Sequence, residues 1–542
     1  MGLFDGLALS VFKKAQSRIS FYQMTAPFRT QKDFLSRFFE GCYFSSAEPG
    51  FAVKFDYRTN QIRLFQLITI PEKKGFDVLV VGAGPSGARA ALRAAELGAR
   101  VGLIDRVRIG GTCTNTGCVP TRVLAVTARL LRDIRSAGLY GIEVSDPKLL
   151  WSRTLARVQE VVQEVLAKKQ TEERILASGG HVFFEGSARF ISQKVLQLAD
   201  TKRELHAEKI ILCVGGKARR PNIDGVEFGI VPEELFSLQQ MPKSIAIIGS
   251  GYTGVQVCTI MNAFGSQVTL LDVAPVIVPS ADEMVSTVLR DRFEALGVVV
   301  VTEIEAVERI EMTENGMRRL HFRKAGEHRV IEVEAVLLCL GWPAALEDIG
   351  TEAIGLETER GFLKVNRFMQ TNLEHIFAAG DVHGRDMLVQ GAHFEAMVAA
   401  ENAVLGASLE HRSELLPSGG FTDPDHAGVG LTERAASLEK LDFTSASISY
   451  ANLDRAIIDG RKHGFVKLIA DRQTGRLLGA HAIGENALEL IQGLAISMSA
   501  GVTLGILAST RLSYPTYSSI VGELARRMLA QNSAPTNEGL LR

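Results

Sequence analysis

In GGTCTNTGCVPTR, residues 110–122, Cys113 and Cys118 stand five positions apart, just after paired glycines. A zinc site usually needs closer cysteines and two further ligands, and no Cys/His cluster accompanies this pair, so no metal site is expected. A permanent structural bridge is disfavoured by the reducing setting that the rest of the chain implies. What remains is redox work. The pair lies at the start of an expected helix, VLAVTARLLRDI, and a helix N-terminus stabilises thiolates. Cys42, Cys213, Cys258 and Cys339 are scattered. The last three lie in apolar runs and read as small buried hydrophobes.

Two glycine loops supply the next chemistry. Gly82, Gly84 and Gly87 form G-x-G-x-x-G between the apolar strand FDVLVVGAG and the Ala-rich helix PSGARAALRAAELG. Asp105 ends the following strand, placed to accept hydrogen bonds from ribose hydroxyls. Gly249, Gly251 and Gly254 repeat the pattern between SIAIIGSG and YTGVQVCTIMNAFG, with Asp272 ending QVTLLDV. In each loop the first glycine allows a tight turn. The second lets backbone approach a pyrophosphate, and the third lets helix and strand pack closely. The helix N-terminus adds N–H groups and partial positive charge. Two complete copies argue against bare turns. A carboxylate at 272 suits a free 2′-hydroxyl and repels a 2′-phosphate. Residues 273–280, VAPVIVPS, offer no arginine for a phosphate. NAD(H) is therefore expected over NADP(H).

These elements must sit on an α/β frame: two Rossmann-like dinucleotide-binding domains, then a C-terminal α+β domain, with a small extra module at the N-terminus. The 542 residues exceed what one core holds. Sixty basic and 61 acidic residues leave no field of one sign, which argues against nucleic acid or an acidic membrane surface. No apolar stretch is long enough for a transmembrane segment, and a cytoplasmic setting is expected. The expected division is 1–74 as the extension, 75–240 with 345–415 as the first nucleotide domain, 241–344 as the second, and 416–534 as the last. HRSELLPSGG marks the boundary near 415. In residues 1–74, Leu3, Phe4, Leu7, Val11 and Phe12 fall at helical spacing. GFAVKFDYRTNQIRLFQLITIP alternates like two strands around a turn at Thr59-Asn60. Two readings of this stretch stay open: a docking element for a larger protein assembly, or an extension packed on the main body.

Six stretches together resemble the flavin-dependent pyridine-nucleotide disulfide oxidoreductases, the family of glutathione reductase, dihydrolipoamide dehydrogenase and mercuric reductase. They are VVGAGPSG, GGTCTNTGCVP, IIGSGYTG, IFAAGDV, FTDPDHAGVGLTE and DRAIIDGRKHGFVKLIADRQTGRLLGAHAIG. The likeness runs from about Phe76 to about Leu529, and the last block is most similar to the mercuric-reductase branch. The resemblance implies FAD on the first loop, with Gly111, Thr112 and Gly215 among its contacts and Asp381 on the ribityl chain. It implies NAD(P)H on the second loop, with Gly341 beside it, and a homodimer formed by the C-terminal domain. Electrons would pass from NADH to FAD, to a Cys113–Cys118 disulfide, and on to a small-molecule acceptor. Cys118 would face the flavin and Cys113 would attack substrate.

Four departures from the family pattern shape the expected chemistry. Arg122 stands where the family usually has Lys, so a planar fork replaces a point charge near the flavin. Gln256 stands where that cation's acidic partner usually lies, which leaves an arginine facing a neutral amide and implies a raised flavin potential. In SYPTYSS, Tyr514 takes the place of the proton-shuttling His and Ser519 that of its Glu. Neutral tyrosine is a poor base near pH 7, so standard thiol disulfides are not the expected acceptors. The final NSAPTNEGLLR lacks the cysteine pair with which mercuric reductases end, so mercury is not the expected substrate either. His393 is expected to be an ordinary core or surface histidine. A second reading is a low-activity flavoprotein scaffold docked through residues 1–74, where FYQMTAPFRTQKDFLSRFF looks faintly like small linker modules of cyanobacterial antennae.

Overall fold

The computed structural model describes residues 51–56, 61–66, 75–411 and 415–533. The chain divides into two compact units, 1–74 and 75–542. In the first, Phe51–Asp56 and Gln61–Gln66 pair antiparallel, the two strands their alternation predicted. The turn at Thr59-Asn60, the Leu3–Phe12 stretch, Cys42, the antenna-linker likeness and the last nine residues lie outside the described residues.

In the second unit, Phe76–Val81 is the central strand of a sheet whose parallel core runs His181–Phe183, Val101–Ile104, Phe76–Val81, Glu204–Leu212, Ile376–Ala378. Leu79 and Val80 are fully buried, as a strand covered on both faces requires. The helix Pro85–Glu96 follows the turn, with Pro85 in its first turn and Ala90, Ala91 and Ala94 packed inward. A hairpin, Ala188–Ser192 with Val195–Leu198, pairs with the edge of Glu204–Leu212. The chain thus reaches the first sheet again after residue 370, having made a second α/β unit in between.

That second unit holds four parallel strands ordered Val299–Val301, Gln267–Leu271, Ser244–Ile248, Ala335–Leu338, with a three-stranded antiparallel sheet from residues 306–333 beside it. Its core is shared. Leu124, Ala128 and Leu131 of the helix Cys118–Arg135, and Trp151 and Val158 of the next helix, pack in one cluster with Val255, Cys258 and Ile260 of the helix Tyr252–Ala263. Trp151 Nε1 donates to the Leu238 carbonyl at 2.8 Å, closing the seam. The helix that carries Cys118 is therefore held by both α/β units.

The C-terminal part is a five-stranded antiparallel sheet ordered Ser418–Gly420, His426–Gly430, Leu477–Ile483, Phe465–Asp471, Phe443–Ser449. The helices Ala487–Ser499 and Ser519–Ser533 cover one face, with Leu490, Leu494, Leu524 and Met528 in the core. On the strand Phe465–Asp471, buried Lys467 donates to both Asp282 oxygens at 3.0 and 3.1 Å and pairs with Glu433. This ties the sheet to the second α/β unit. Removing Lys467 would strand a buried carboxylate, a loss of about 3–5 kcal/mol.

Candidate redox and cofactor site

The redox stretch folds as two helices, where the sequence suggested a pair lying before one. Gly111–Asn115 carries Cys113, and a new helix, Cys118–Arg135, starts on Cys118 itself. Gly117 separates them with φ −123° and ψ −108°, outside helical space. Gly110 and Gly111 have φ of 112° and 54°, the left-handed region that glycine tolerates. A Cβ on Gly111 would lie 2.7 Å from Gly84 Cα. Gly110 N–H donates to the Ala83 carbonyl at 2.8 Å. The cysteine segment and the first glycine loop are thus one piece. Asn115 Nδ2 braces it, donating to the Ile109 and Gly111 carbonyls at 3.1 and 3.0 Å.

The two free thiols are close enough to shift each other's titration. Cys118 is exposed, and its interaction with Cys113 pulls the thiol down to about 7, while interaction with Cys118 and burial push Cys113 up. Lys169, whose Nζ donates to Thr114 Oγ1 at 3.0 Å, adds positive field at both sulfurs. Asp381 opposes it. One proton on Cys113 and a thiolate at Cys118 is the state this geometry favours. Lys169, 51 residues beyond Cys118 at the end of its own helix, carried no sequence signal.

Both glycine loops are built alike. Gly82 and Gly249 have φ of 98° and 101°, and a Cβ on either would overlap a carbonyl oxygen, of Cys213 or of Cys339. A Cβ on Gly87 or Gly254 would overlap the carbonyl of its own loop's first glycine. The middle glycines differ: a Cβ on Gly84 would touch only Gly111 Cα at 3.8 Å, and one on Gly251 meets nothing within 4 Å. That open side is where a pyrophosphate fits. Gly215 and Gly341, at φ 67° and 90°, also face open space. Thr112 is exposed beside them in chain order to the redox pair.

Asp105 and Asp272 do more than await a ribose. Asp105 Oδ2 accepts from Ala83 N–H at 2.8 Å, and Oδ1 from Val107 and Arg108 N–H at 3.0 and 3.2 Å. Asp272 Oδ2 accepts from Ser250 N–H at 2.5 Å and Ser250 Oγ at 2.6 Å, and Oδ1 from Ala274 N–H at 2.8 Å. Each acid clamps its own loop and has lone pairs left over.

Asp381 opens a short 3₁₀ turn after Gly380. Burial and the nearby Glu395 push its carboxyl up. Glu395, unmarked in the sequence reading, is buried on the helix Val389–Leu405. Its Oε2 accepts from Gly380 N–H at 2.8 Å and His383 Nε2 at 2.7 Å, which fixes the turn. His393, on the same helix, is exposed, an ordinary surface histidine in this fold.

Arg122 and Gln256 both meet Phe421. The Arg122 guanidinium stacks on the Phe421 ring. Gln256 Oε1 accepts from Phe421 N–H at 3.2 Å, and its Nε2 donates to the Tyr252 carbonyl at 2.7 Å. The amide is spent on backbone, and the arginine lies on an aromatic face. Burial pushes Arg122 down to about 10, opposed by Asp425. Asp425 in turn accepts from Arg129 at 2.7 Å, yet burial outweighs the ion pair and lifts its carboxyl to about 6. Tyr252, at the start of its helix, stacks flat on His426 at 5.7 Å and shares a 3.1 Å hydrogen bond with Ser418.

Tyr514 is 76% exposed and donates to Asp454 Oδ2 at 2.8 Å. Its natural companion is thus Asp454, not Ser519, whose Oγ donates to the Thr516 carbonyl at 2.7 Å. The Asp454 bond pushes the phenol up, so the hydroxyl keeps its proton. Within one chain, Tyr514 makes no hydrogen bond with Cys113 or Cys118.

A redox dithiol fused to a dinucleotide loop, with a second loop alongside, is matched by known proteins. The family model described as pyridine nucleotide-disulphide oxidoreductase matches residues 76–396, and that of its dimerisation domain matches 416–525. The chain belongs to this family. It is an oxidoreductase, a flavoprotein that carries FAD, and its C-terminal sheet is the family's dimerisation domain. Dihydrolipoyl dehydrogenase of Zymomonas mobilis is 30% identical over 456 residues, 83% of this chain and 97% of that protein. Mercuric reductase of Bacillus cereus is 27% identical over 444 residues, 81% and 69% of the two chains. Among solved structures, the HOCl-induced flavoprotein disulfide reductase RclA of Escherichia coli aligns with a TM-score of 0.74 at 26% identity, covering 83% of this chain and 99% of that one. No helix among the described residues is long and apolar enough to cross a membrane.

Proposed function

We propose that this chain takes electrons from NADH in preference to NADPH and delivers them, through Cys113 and Cys118, to a small acceptor other than a standard thiol disulfide. FAD, when bound, accepts a hydride from the nicotinamide and passes two electrons to the disulfide. The balanced half-reaction is NADH, a proton and the disulfide giving NAD⁺ and two thiols. The observation that carries the reading is the pair of free cysteines on two short-linked helices that are built onto the first glycine loop.

In this reading Gly82, Gly84, Gly87, Asp105, Gly111, Thr112, Gly215 and Asp381 hold FAD, and Gly249, Gly251, Gly254, Asp272 and Gly341 hold the nicotinamide dinucleotide. Gln256 holds Phe421, and Phe421 holds Arg122 against the flavin side of the site. Cys118, the more acidic thiol, faces the flavin, and Cys113 is the sulfur that meets the acceptor. Asp272 supports NADH: its carboxylate repels a 2′-phosphate, and residues 273–280 bring no cation to offset it. Tyr514, held protonated by Asp454, is positioned to hydrogen-bond the acceptor across the homodimer. Residues 1–74 act as a docking module.

The test is anaerobic addition of NADH to the oxidised holoenzyme. The flavin spectrum bleaches, and thiol titration finds two new thiols per chain. In Cys113→Ser and Cys118→Ser those thiols do not appear. A flavin that stays oxidised overturns the reading in favour of a scaffold docked through residues 1–74; bleaching without new thiols overturns the disulfide step.

A further inference from the structure

We infer that Asp386, Glu395 and His411 form a binding site for one divalent cation of the zinc class, separate from the redox cysteines. One carboxylate oxygen from each acid and one ring nitrogen of His411 lie within 4.8 Å of one another. An ion about 2.0–2.2 Å from each ligand would hold such donors roughly 3–4 Å apart, so sub-ångström side-chain movement closes the site. The three residues come from a loop, a helix and the segment after that helix. An ion would therefore staple three pieces of chain that meet beneath the cofactor motif.

The charges favour a cation. Two carboxylates and a neutral imidazole carry −2 in total, matched by one M²⁺. Glu395 is 1% exposed, and its Oε2 is already used by Gly380 N–H and His383 Nε2. Its Oε1 accepts no hydrogen bond among the described residues. Asp386 has neither a hydrogen bond nor an ion pair among them, and the adjacent Arg385 spends its guanidinium on the Val365 carbonyl at 2.8 Å. His383 is the basic partner of Glu395, and among the described residues none reaches Asp386, so a cation joining the two acids would relieve their repulsion. The surroundings resemble the outer shell of a metal site: His383 orients Glu395, and Phe394 packs on the His411 ring at 5.7 Å. Two oxygens and one nitrogen suit Zn²⁺ or Mn²⁺ and not a thiophilic ion. Three protein ligands leave positions for water.

Binding of Zn²⁺ to the full-length, metal-stripped holoenzyme tests this, with Cys113 and Cys118 kept as the disulfide so that thiolates do not compete. Bound metal and flavin are both measured per chain. The expected result is one Zn²⁺ per chain in the parent protein and at least ~10-fold weaker binding in Asp386→Asn and in His411→Ala, with FAD content unchanged. Two substitutions on different segments guard against one that merely misfolds. No binding by the parent protein, or equal binding by the parent and both variants, overturns the inference.

Discussion

The two glycine loops of this chain are near copies, and they differ in what packs beside them. Each first glycine sits against the carbonyl of a cysteine, buried Cys213 or half-buried Cys339, and each third glycine sits against the first. Each acid reaches back 22 residues to a loop N–H, Asp105 to Ala83 and Asp272 to Ser250. Even the middle glycines match, at φ −67°, ψ −173° and φ −68°, ψ −175°. What differs is the cover. Gly111 and the cysteine helix lie over the first loop, locked by Gly110 N–H on the Ala83 carbonyl. Nothing comparable approaches Gly251. In the proposed function, chain packed beside the first loop helps FAD stay bound through turnover, and a second loop with nothing beside Gly251 lets the dinucleotide leave after each hydride.

The largest effect should come from the third glycines, because a Cβ there has no room at all. Gly87→Ala should give protein purified with less than about a tenth of the parent's FAD. Gly254→Ala should keep FAD and lose NADH reduction by ~100-fold or more, read as the rate of anaerobic flavin bleaching. If Gly254→Ala also loses its FAD, the loops are not independent and the contrast fails. Next are the acids. Asp272→Ala should lower kcat/KM for NADH by ~10-fold and for NADPH by less, narrowing the ratio between them, while flavin content holds. Asp105→Ala should instead release FAD. An unchanged NADH to NADPH ratio in Asp272→Ala would remove the basis for the cofactor preference.

A pH measurement sharpens the same contrast, because only the first loop is fused to the cysteines. In NADH-reduced protein the Cys118 thiol, pulled down to about 7, is a thiolate above that pH and protonated below it. Long-wavelength absorbance of the flavin should therefore grow as pH rises through about 7, and the change should vanish in Cys118→Ser. A midpoint near the ordinary thiol value would show that the Cys113 interaction does not persist beside bound flavin.

Local patterns were legible in the sequence; contacts between distant segments were not. The two strand, glycine-turn, helix units could be read because each needs fewer than 30 consecutive residues, with every signal in order. Gly87 and Gly254 were named for the close packing they turn out to make. Arg122 and Gln256 stand out in the sequence, but Phe421, about 300 residues beyond Arg122, takes the arginine on its ring and the amide on its N–H, a contact no local pattern signals. Tyr514 was found and its partner missed: Asp454 lies 60 residues away on another element. The same holds for Asp386, Glu395 and His411, whose spacings of 9 and 16 match no ligand motif. Chemistry made by neighbours in sequence announces itself; chemistry made by folding does not.

The smallest change would make the second loop still more like the first. Position 83 is already alanine, whereas its counterpart Ser250 is fully buried and gives Asp272 a second hydrogen bond at 2.6 Å. Ser250→Ala removes that bond and leaves Ser250's backbone donor in place. The loss should be about 1 kcal/mol, a shift of only a few degrees or less in Tm for a chain of this length. It also frees a lone pair of Asp272 toward the ribose, so KM for NADH should change by less than ~3-fold and should not rise. A ten-fold rise in KM would mean that the serine hydroxyl orients the acid for its ligand, and that the second loop works by a clamp the first never had.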